Sequence, residues 1–262
     1  MFGWFKRRRR RRIRGKPFPA AWARFLAERV PYYNHLPEAQ QARLQGHIQV
    51  FLAEKNFEGC AGLVMTDDIR LLVAAHACIL ELSRDTDFYP RLYSVLVYPT
   101  DFIVRDQLHD DDRLPIQGDQ VRVGEAWSIG AVIFSWDGML HGAKHGTDGY
   151  NVLYHEFAHQ IDMENGVADG YPDIHDAALR RDWAEVMARE FERLQRDARR
   201  RRRSVLDPYG AEHPAEFFAV ATETFFEASA RLAVRHPALY DVLRRFYRQD
   251  PAALRPQRGA MR

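Results

Sequence analysis

The sequence is poor in cysteine, with Cys60 and Cys78 as its only two cysteines among 262 residues. Two isolated thiols cannot build a disulfide framework, and they lack the paired spacing of a structural zinc site. We expect both to be reduced, as is typical inside cells. Long apolar runs are also missing. No stretch approaches the 18 uninterrupted apolar residues that a membrane-spanning helix needs, so we predict no transmembrane segment.

A secretory signal is missing as well, because residues 13–17 (Ile-Arg-Gly-Lys-Pro) stand where an apolar stretch would follow the basic residues. We therefore predict a cytoplasmic protein. The net charge of only +2 gives no overall preference for nucleic acid, and we expect no nucleic acid partner. The arginine run 7–12 repels itself and predicts a flexible basic arm over residues 1–16. A solvated tail is the simplest interpretation, with contact to nucleic acid or an anionic membrane surface as the alternative.

The order of sequence signals predicts an α+β fold that is helix-rich and contains a small mixed sheet. Helical patterns occupy much of residues 20–82, and Pro31 ends the first helix, with Thr66 or Asp67 as the cap of the third. Strand signals follow at 93–98, 102–104 and 131–136, and a glycine-rich loop is predicted for 138–149. Helices are predicted at about 174–196, from Pro214, and at about 237–248. The arginine run 199–203 is predicted to be an exposed turn. Residues 17–250 are predicted as one domain and 251–262 as a tail.

The central motif is His-Glu-Phe-Ala-His at residues 155–159. Histidines four residues apart lie on one helix face, so His155 and His159 can bind the same ion. Neutral imidazole is a zinc ligand, and a catalytic zinc uses three protein ligands and a water. Glu156 stands where it can act as general base, and Asp148 or Asn151 can cap the helix. The alternative is a pair of core histidines satisfied by ordinary hydrogen bonds.

A third ligand must come from elsewhere in the chain. One zincin class has a glycine and a third histidine shortly downstream, where this sequence has Asp162 and Asn165. A later carboxylate is therefore required. Glu216 stands in a markedly apolar segment, where an acid needs a partner or a metal. Glu223, two turns later, is either a partner of a ligand histidine or a surface carboxylate. The remaining candidates are Glu185, Glu190, Glu192, Glu212 and Glu227, of which the first three are predicted to lie on a solvated face.

Several segments together resemble the Mlc titration factor A family of bacterial metallopeptidases. The longest is residues 151–162 (Asn-Val-Leu-Tyr-His-Glu-Phe-Ala-His-Gln-Ile-Asp), with Gly166, Asp169 and Gly170 after it. The others are residues 51–59, 97–99, 135–136 and 214–219. The resemblance extends over about residues 20 to 250.

This resemblance implies a zincin fold related to the catalytic domain of anthrax lethal factor. It implies one zinc ion per chain, held by His155, His159 and Glu216, and it implies that Tyr209 is a catalytic residue. It further implies aminopeptidase activity on small peptide substrates. One family member binds the repressor Mlc and relieves repression of sugar-uptake genes, so a transcriptional repressor is a candidate partner.

We therefore predict a zinc peptidase in which Glu156 takes a proton from the attacking water and Tyr209 donates a hydrogen bond to the oxyanion. Strand 131–136 could pair with an extended peptide substrate. The alternative is a non-catalytic protein that sequesters a transcriptional repressor. A nucleic-acid-binding function would depend only on the two arginine runs.

Overall fold

The computed structural model describes residues 2–85, 87–100, 130–145 and 149–254. Its N-terminal part is a layer of helices. Helix α5 begins as the sequence predicted, because the Thr66 hydroxyl accepts a hydrogen bond from the Ile69 amide at 3.3 Å. Proline at the first position starts α3, which is a separate short helix after the predicted stop at Pro31. The five helices are α1 (Phe2–Arg14), α2 (Ala20–Arg29), α3 (Pro31–His35), α4 (Glu38–Glu54) and α5 (Asp67–Leu80).

Helix α1 differs from the expected flexible arm, since residues Phe2–Arg14 form a regular helix that packs on α4. Arginine is a good helix former, and the predicted self-repulsion is offset by acids from other elements. Arg10 donates two hydrogen bonds to Glu54, at 2.9 and 2.6 Å, and two to Asp87, one to its carboxylate at 2.6 Å and one to its carbonyl oxygen at 3.0 Å. A run of like charge is therefore ordered by partners that are distant in sequence.

The second part of the fold is a three-stranded sheet, with strand order β1-β2-β3, whose first strand lies between α4 and α5 in sequence. Both strand pairs are parallel, with Asn56 opposite Ser94 and Ser94 opposite Ala131. The sequence predicted a mixed sheet, whereas the described strands are all parallel; the predicted strand 102–104 lies outside the described residues. Strand β1 was not predicted, because it is only four residues long. The strands are β1 (Asn56–Gly59), β2 (Ser94–Tyr98) and β3 (Ala131–Ser135).

The predicted glycine-rich loop is wrong over its first part, because residues Trp136–His145 form helix α6. The Ser135 hydroxyl accepts a hydrogen bond from the Gly138 amide at 3.1 Å, and this contact caps the helix. Gly142 lies so close to Asn151 that a Cβ atom would stand 3.2 Å from the Asn151 Cα atom. Glycine here permits close packing of α6 on the next helix.

The C-terminal half is helical, as predicted. Helix α9 begins with Pro214 and α11 with Pro237. The side chains of the 199–203 run are exposed around a turn. Within the described ranges, no helix has the length and apolar character needed to cross a bilayer. The elements are α7 (Val152–Asp162), a 3₁₀ helix (Met163–Asn165), α8 (Ala177–Arg199), a second 3₁₀ helix (Pro208–Ala211), α9 (Pro214–Glu227), α10 (Ser229–Arg235), α11 (Pro237–Tyr247) and α12 (Pro251–Leu254).

Helix α7 lies at the centre of the fold and is packed on several sides. Phe157 contacts Phe134 of β3 and Phe51 of α4, with ring centroids 5.7 and 5.9 Å apart. Tyr154 stacks on Phe226 of α9 at 5.1 Å. All five aromatic side chains are almost completely buried. The apolar faces of α7 are therefore fixed against the core, and its remaining face is directed to α9.

Candidate metal centre

Helix α7 presents both motif histidines from its second and third turns. Asn151 caps the helix, because its Oδ1 atom accepts hydrogen bonds from the amides of Leu153 and Tyr154 at 3.1 and 3.3 Å. This confirms one of the two predicted caps; the other, Asp148, lies outside the described residues. The Nε2 atoms of His155 and His159 are 3.2 Å apart. The spacing of four residues therefore brings the two imidazoles to one point, as predicted.

Glu216, in the first turn of α9, faces the histidine pair. Its Oε2 atom lies 3.0 Å from His155 Nε2 and 3.5 Å from His159 Nε2. These three side chains form a group of possible metal ligands whose donor atoms all lie within 4.8 Å of one another. His159 is only 1% exposed, so the group is largely sealed from solvent on that side.

Glu223 lies behind His155 and contacts its other ring nitrogen. The distance from Glu223 Oε1 to His155 Nδ1 is 2.7 Å, and Glu223 Oε2 accepts a hydrogen bond from the Asn151 amide at 2.6 Å. Glu227, one turn further along α9, accepts a hydrogen bond from Asn151 Nδ2 at 2.9 Å. Glu223 is 2% exposed, so it is not a surface carboxylate. Of the two interpretations of Glu223, the structure places it beside a histidine.

The charges around the group favour a positive charge at its centre. Burial alone lowers the pKa of His155, but the carboxylates of Glu223 and Glu216 outweigh burial and raise this pKa well above its ordinary value. Burial lowers the pKa of His159. Burial alone raises the pKa of Glu216, yet hydrogen bonds with the two histidines hold it well below its usual range. The group is therefore built to stabilise one cation, either a proton or a metal.

The relative position of α7 and α9 is fixed by a contact at the far end of α7. Asp162 accepts a hydrogen bond from the Gly170 amide at 2.7 Å. Gly170 has a positive φ of 76°, and a Cβ atom there would stand 2.4 Å from the Pro214 carbonyl oxygen. Only glycine allows this approach, because the obstacle is backbone. The start of α9, and with it Glu216, is thereby held against the loop that follows α7.

Tyr209 reaches the same group from the second 3₁₀ helix. Its ring centroid lies 6.0 Å from that of His155, and the residue is 39% exposed. Asp207 accepts a hydrogen bond from the Tyr209 amide at 2.8 Å, which fixes this turn. A Cβ atom at Gly210 would come within 3.2 Å of Leu194 and Val220, so the turn packs tightly on α8 and α9. Tyr209 therefore lies at the solvent-facing side of the histidine pair.

Glu156 is half-buried on α7, and its Oε2 atom is inaccessible to solvent. Its negative charge contributes to the raised pKa of His155, which places the carboxylate within electrostatic reach of the group. The sequence predicted Glu156 beside the first histidine, and the structure keeps it close to the histidine pair.

The other candidate carboxylates lie away from the histidines. Glu185 and Glu192 form exposed ion pairs with arginines of their own helix, as expected for a solvated face. Glu190 does not follow that prediction, because it is 6% exposed and lies 2.7 Å from His236 Nδ1. The reason is tertiary: the turn between α10 and α11 covers this side of α8. Glu212 is exposed.

The chemistry and spacing of the donor atoms fit a zinc ion. Tetrahedral zinc binds imidazole and carboxylate at about 2.0–2.2 Å, so neighbouring donors stand roughly 3.3 Å apart. The separations of 3.0, 3.2 and 3.5 Å among His155, His159 and Glu216 agree with that value. Two imidazoles and one carboxylate are also the donors of a catalytic site that keeps one position for water.

A comparison with known protein families decides the family. The model of the glucose-regulated metallo-peptidase M90 family matches residues 4–248. The chain belongs to this family. Since M90 proteins are metallopeptidases, the family implies a metal, and the His-His-Glu group is the group of possible metal ligands found within the described residues. The match includes most of α1, so the basic helix is aligned with the family as a part of its domain.

Relatives of the chain support the M90 assignment. The uncharacterized protein slr2042 of Synechocystis is 40% identical over 244 residues, covering 93% of this chain and 89% of that protein. Mlc titration factor A of Serratia proteamaculans is 33% identical over 239 residues, covering 89% and 88%. Mlc titration factor A of Yersinia pestis is 32% identical over 229 residues, covering 86% and 83%. The resemblance seen in the sequence motifs is therefore confirmed. The roles of individual residues and the division at residues 16 and 250 stay predictions.

Proposed function

We propose that this M90 protein is a zinc-dependent aminopeptidase with a zincin-like fold, acting in the cytoplasm on peptides. The observation that carries the proposal is the convergence of His155 Nε2, His159 Nε2 and Glu216 Oε2, which are separated by 3.0–3.5 Å. When bound, zinc supplies a Lewis acid that makes a water reactive at neutral pH. His155, His159 and Glu216 hold the ion.

Three further side chains have distinct tasks in this proposal. Glu156 accepts a proton from the attacking water on a carboxylate oxygen and passes it to the leaving amine. The Tyr209 hydroxyl donates a hydrogen bond to the oxyanion that develops on the scissile carbonyl. Glu223 accepts a hydrogen bond from His155 Nδ1, so that Nε2 is directed to the ion. The buried contact of Glu223 with the Asn151 amide keeps this carboxylate in place.

The substrate is proposed to lie along β3, which is an outer strand of the described sheet and precedes α6 and α7. An extended peptide beside an outer strand is recognised by main-chain hydrogen bonds and is held parallel to the sheet edge. Helix α7 contacts β3 through Phe157 and Phe134, so a peptide in this position would lie close to α7.

The test is hydrolysis of amino-acid anilides with free or acetylated amino groups, before and after chelation of the metal. We expect activity on the free-amino substrates, loss on chelation and recovery with zinc. Glu156→Gln should keep zinc and reduce kcat by about 10²–10⁴-fold, the contribution of a general base. Glu185→Gln, at an exposed position, is the control. Full activity of Glu156→Gln would contradict the assignment, and equal cleavage of acetylated substrates would contradict the aminopeptidase specificity.

A second candidate function comes from the relatives, which bear the name Mlc titration factor A. This name suggests binding of a transcriptional repressor, and such a protein could act by sequestration without catalysis. Repressor binding and peptide cleavage, measured for the unmodified chain and for Glu156→Gln, distinguish the two functions. If sequestration is the only function, Glu156→Gln should bind a Mlc-type repressor as tightly as the unmodified chain, and neither protein should cleave any peptide substrate.

A further inference from the structure

The outer face of α1 combines exposed aromatic residues with arginine. We define this outer face by Trp4, Phe5, Arg8, Arg11 and Arg12, which fall on one side of the helix at 100° per residue. All five residues are exposed, with Trp4 at 58% and Phe5 at 59%. Exposing the apolar rings of Trp and Phe to water is unfavourable in free energy. Such rings next to several arginines on one helix face indicate a surface that a partner covers.

The opposite face of α1 holds the helix firmly on the protein. Lys6 and Arg10 are paired with Asp87, at 2.7 and 2.6 Å, and Arg10 also binds Glu54. Arg14 lies over the Phe88 ring, with its guanidinium carbon 5.4 Å from the ring centroid. The anchored side chains are spaced by four residues, so they form one stripe. The outer face is therefore presented in a fixed orientation.

No acidic residue near α1 in the sequence balances the positive charge of the outer face. Residues 1–27 contain ten Lys or Arg residues and no acid, since the first acid of the chain is Glu28. In the part of the chain that the structure describes, the acids paired with α1 are Glu54 and Asp87, and both are engaged on its inner face. This arrangement leaves the outer arginines available for negative charges outside the protein.

A lipid surface fits these side chains better than a nucleic acid does. Base stacking requires an open aromatic face, but the Arg8 guanidinium lies over the Trp4 ring at 5.4 Å, and Phe5 packs against Trp4 at an angle of 80°. Tryptophan and phenylalanine beside a basic helix face are typical of helices that lie in the membrane interface. Arginines there pair with anionic headgroups while the aromatic rings enter the boundary with the acyl chains.

We propose that the outer face of α1 binds the protein peripherally to the surface of an anionic phospholipid bilayer. The arginines bind the headgroups, and Trp4 and Phe5 enter the interface. The contact is reversible because a single short helix buries little apolar area, and it depends on salt because charges supply much of the attraction. This surface is independent of the His-His-Glu group.

The experiment measures co-sedimentation of the full, zinc-loaded chain with large vesicles at physiological salt. Vesicles with about a quarter phosphatidylglycerol are compared with pure phosphatidylcholine vesicles. Each arginine near an anionic surface contributes about fivefold to binding, so Arg8→Gln/Arg11→Gln/Arg12→Gln should bind about a hundredfold more weakly. The matched control is Arg200→Gln/Arg201→Gln/Arg202→Gln, which removes the same charge from an exposed turn and should change binding by less than about twofold per residue. Circular dichroism verifies that both variants are folded.

A second measurement compares the unmodified chain with a variant that keeps every charged residue. Brominated anionic lipid should quench part of the tryptophan fluorescence, and Trp4→Phe should remove that quenching while sedimentation persists. Equal sedimentation with both vesicle types would overturn the proposal, as would equal losses in the two arginine variants. Tight binding to a DNA oligonucleotide without binding to anionic vesicles would overturn it as well, and would assign the outer face to nucleic acid.

Discussion

Two pairs of histidines lie on neighbouring helices and differ in the groups that face them, which are a carbonyl oxygen and arginines in one pair and carboxylates in the other. His76 on α5 is hydrogen-bonded to the Leu72 carbonyl oxygen, at 2.8 Å, and burial lowers its pKa to about 4. His47 on α4 is buried near three arginines, which lower its pKa further to about 3. On α7, His159 is as buried as these two and its pKa is also lowered, but both His159 and the less buried His155 face Glu216, and the pKa of His155 is raised. Burial alone makes a histidine a neutral core residue, whereas carboxylates directed at it create a cation site.

The largest effect should follow from Glu216→Ala, which removes the carboxylate that distinguishes the α7 pair. We expect this variant to lose zinc, because the two remaining imidazoles leave the ion with too few ligands. Metal analysis after dialysis measures the stoichiometry. Glu212→Ala, which truncates an exposed acid four residues earlier, is the control and should keep one zinc per chain. Retention of zinc in Glu216→Ala would mean that the third ligand is another residue.

The next effect concerns Asp162, a buried acid at the end of α7 that accepts a hydrogen bond from the Gly170 amide. Burial raises the pKa of Asp162 to about 7 in the folded chain, against an ordinary value of 3.8. The folded state thus keeps this proton to higher pH than the unfolded chain does. The contribution of Asp162 to stability is full below about pH 4 and is lost as pH rises to about 7.

Asp162→Asn should remove this dependence. Both proteins are compared without metal. Between pH 4 and pH 7, the free energy of unfolding of the variant should rise by up to about 4 kcal/mol relative to that of the unmodified chain. Asparagine can still accept the hydrogen bond from Gly170. Urea unfolding at a series of pH values measures the difference, and Asp176→Asn at an exposed cap serves as the comparison. Parallel pH curves for Asp162→Asn and the unmodified chain would contradict the assignment.

A smaller effect is expected from Glu223→Gln, which leaves the metal ligands intact but changes the partner of His155. Loss of such a partner weakens metal binding by about 10–100-fold. Competition with a chelating dye measures the dissociation constant for zinc. Glu227→Gln changes a neighbouring carboxylate of α9 that contacts the Asn151 side chain, so it should weaken zinc binding by less. If the two variants weaken binding equally, Glu223 acts through the fold of α7 and not through His155.

The smallest effect should come from His76→Phe, which changes a histidine that does not belong to the α7 pair. A phenylalanine ring fills the same space beside Tyr154, and the lost hydrogen bond to Leu72 contributes about 1 kcal/mol. We expect unchanged zinc content and a small decrease in thermal stability, measured by calorimetry. A loss of zinc in this variant would show that the two pairs of histidines are coupled, contrary to the contrast drawn above.

Signals between neighbouring residues predicted much of the fold. The predictions were wrong where contacts between residues distant in sequence determine the structure. The helix starts at Thr66, Asn151 and Pro214 follow from local hydrogen bonding and backbone geometry, which neighbouring residues specify. The order of α1 could not be predicted, because it depends on Glu54 and Asp87. Helix α6 was mistaken for a loop, since Gly142 serves close packing on Asn151 that only the assembled fold reveals.

The sequence by itself determined that His155 and His159 share one helix face, since the period of the α-helix brings residues four apart together. It also determined that an acid in the apolar segment after Pro214 needs a partner. Only the tertiary structure decided how the acids of α9 divide their tasks. Glu216, Glu223 and Glu227 lie along one side of that helix, and the packing of α7 on α9, set by the contact of Gly170 with Pro214, assigns them to His155 Nε2, His155 Nδ1 and Asn151. Distances between two helices depend on the packing of the whole core, and no local spacing encodes them.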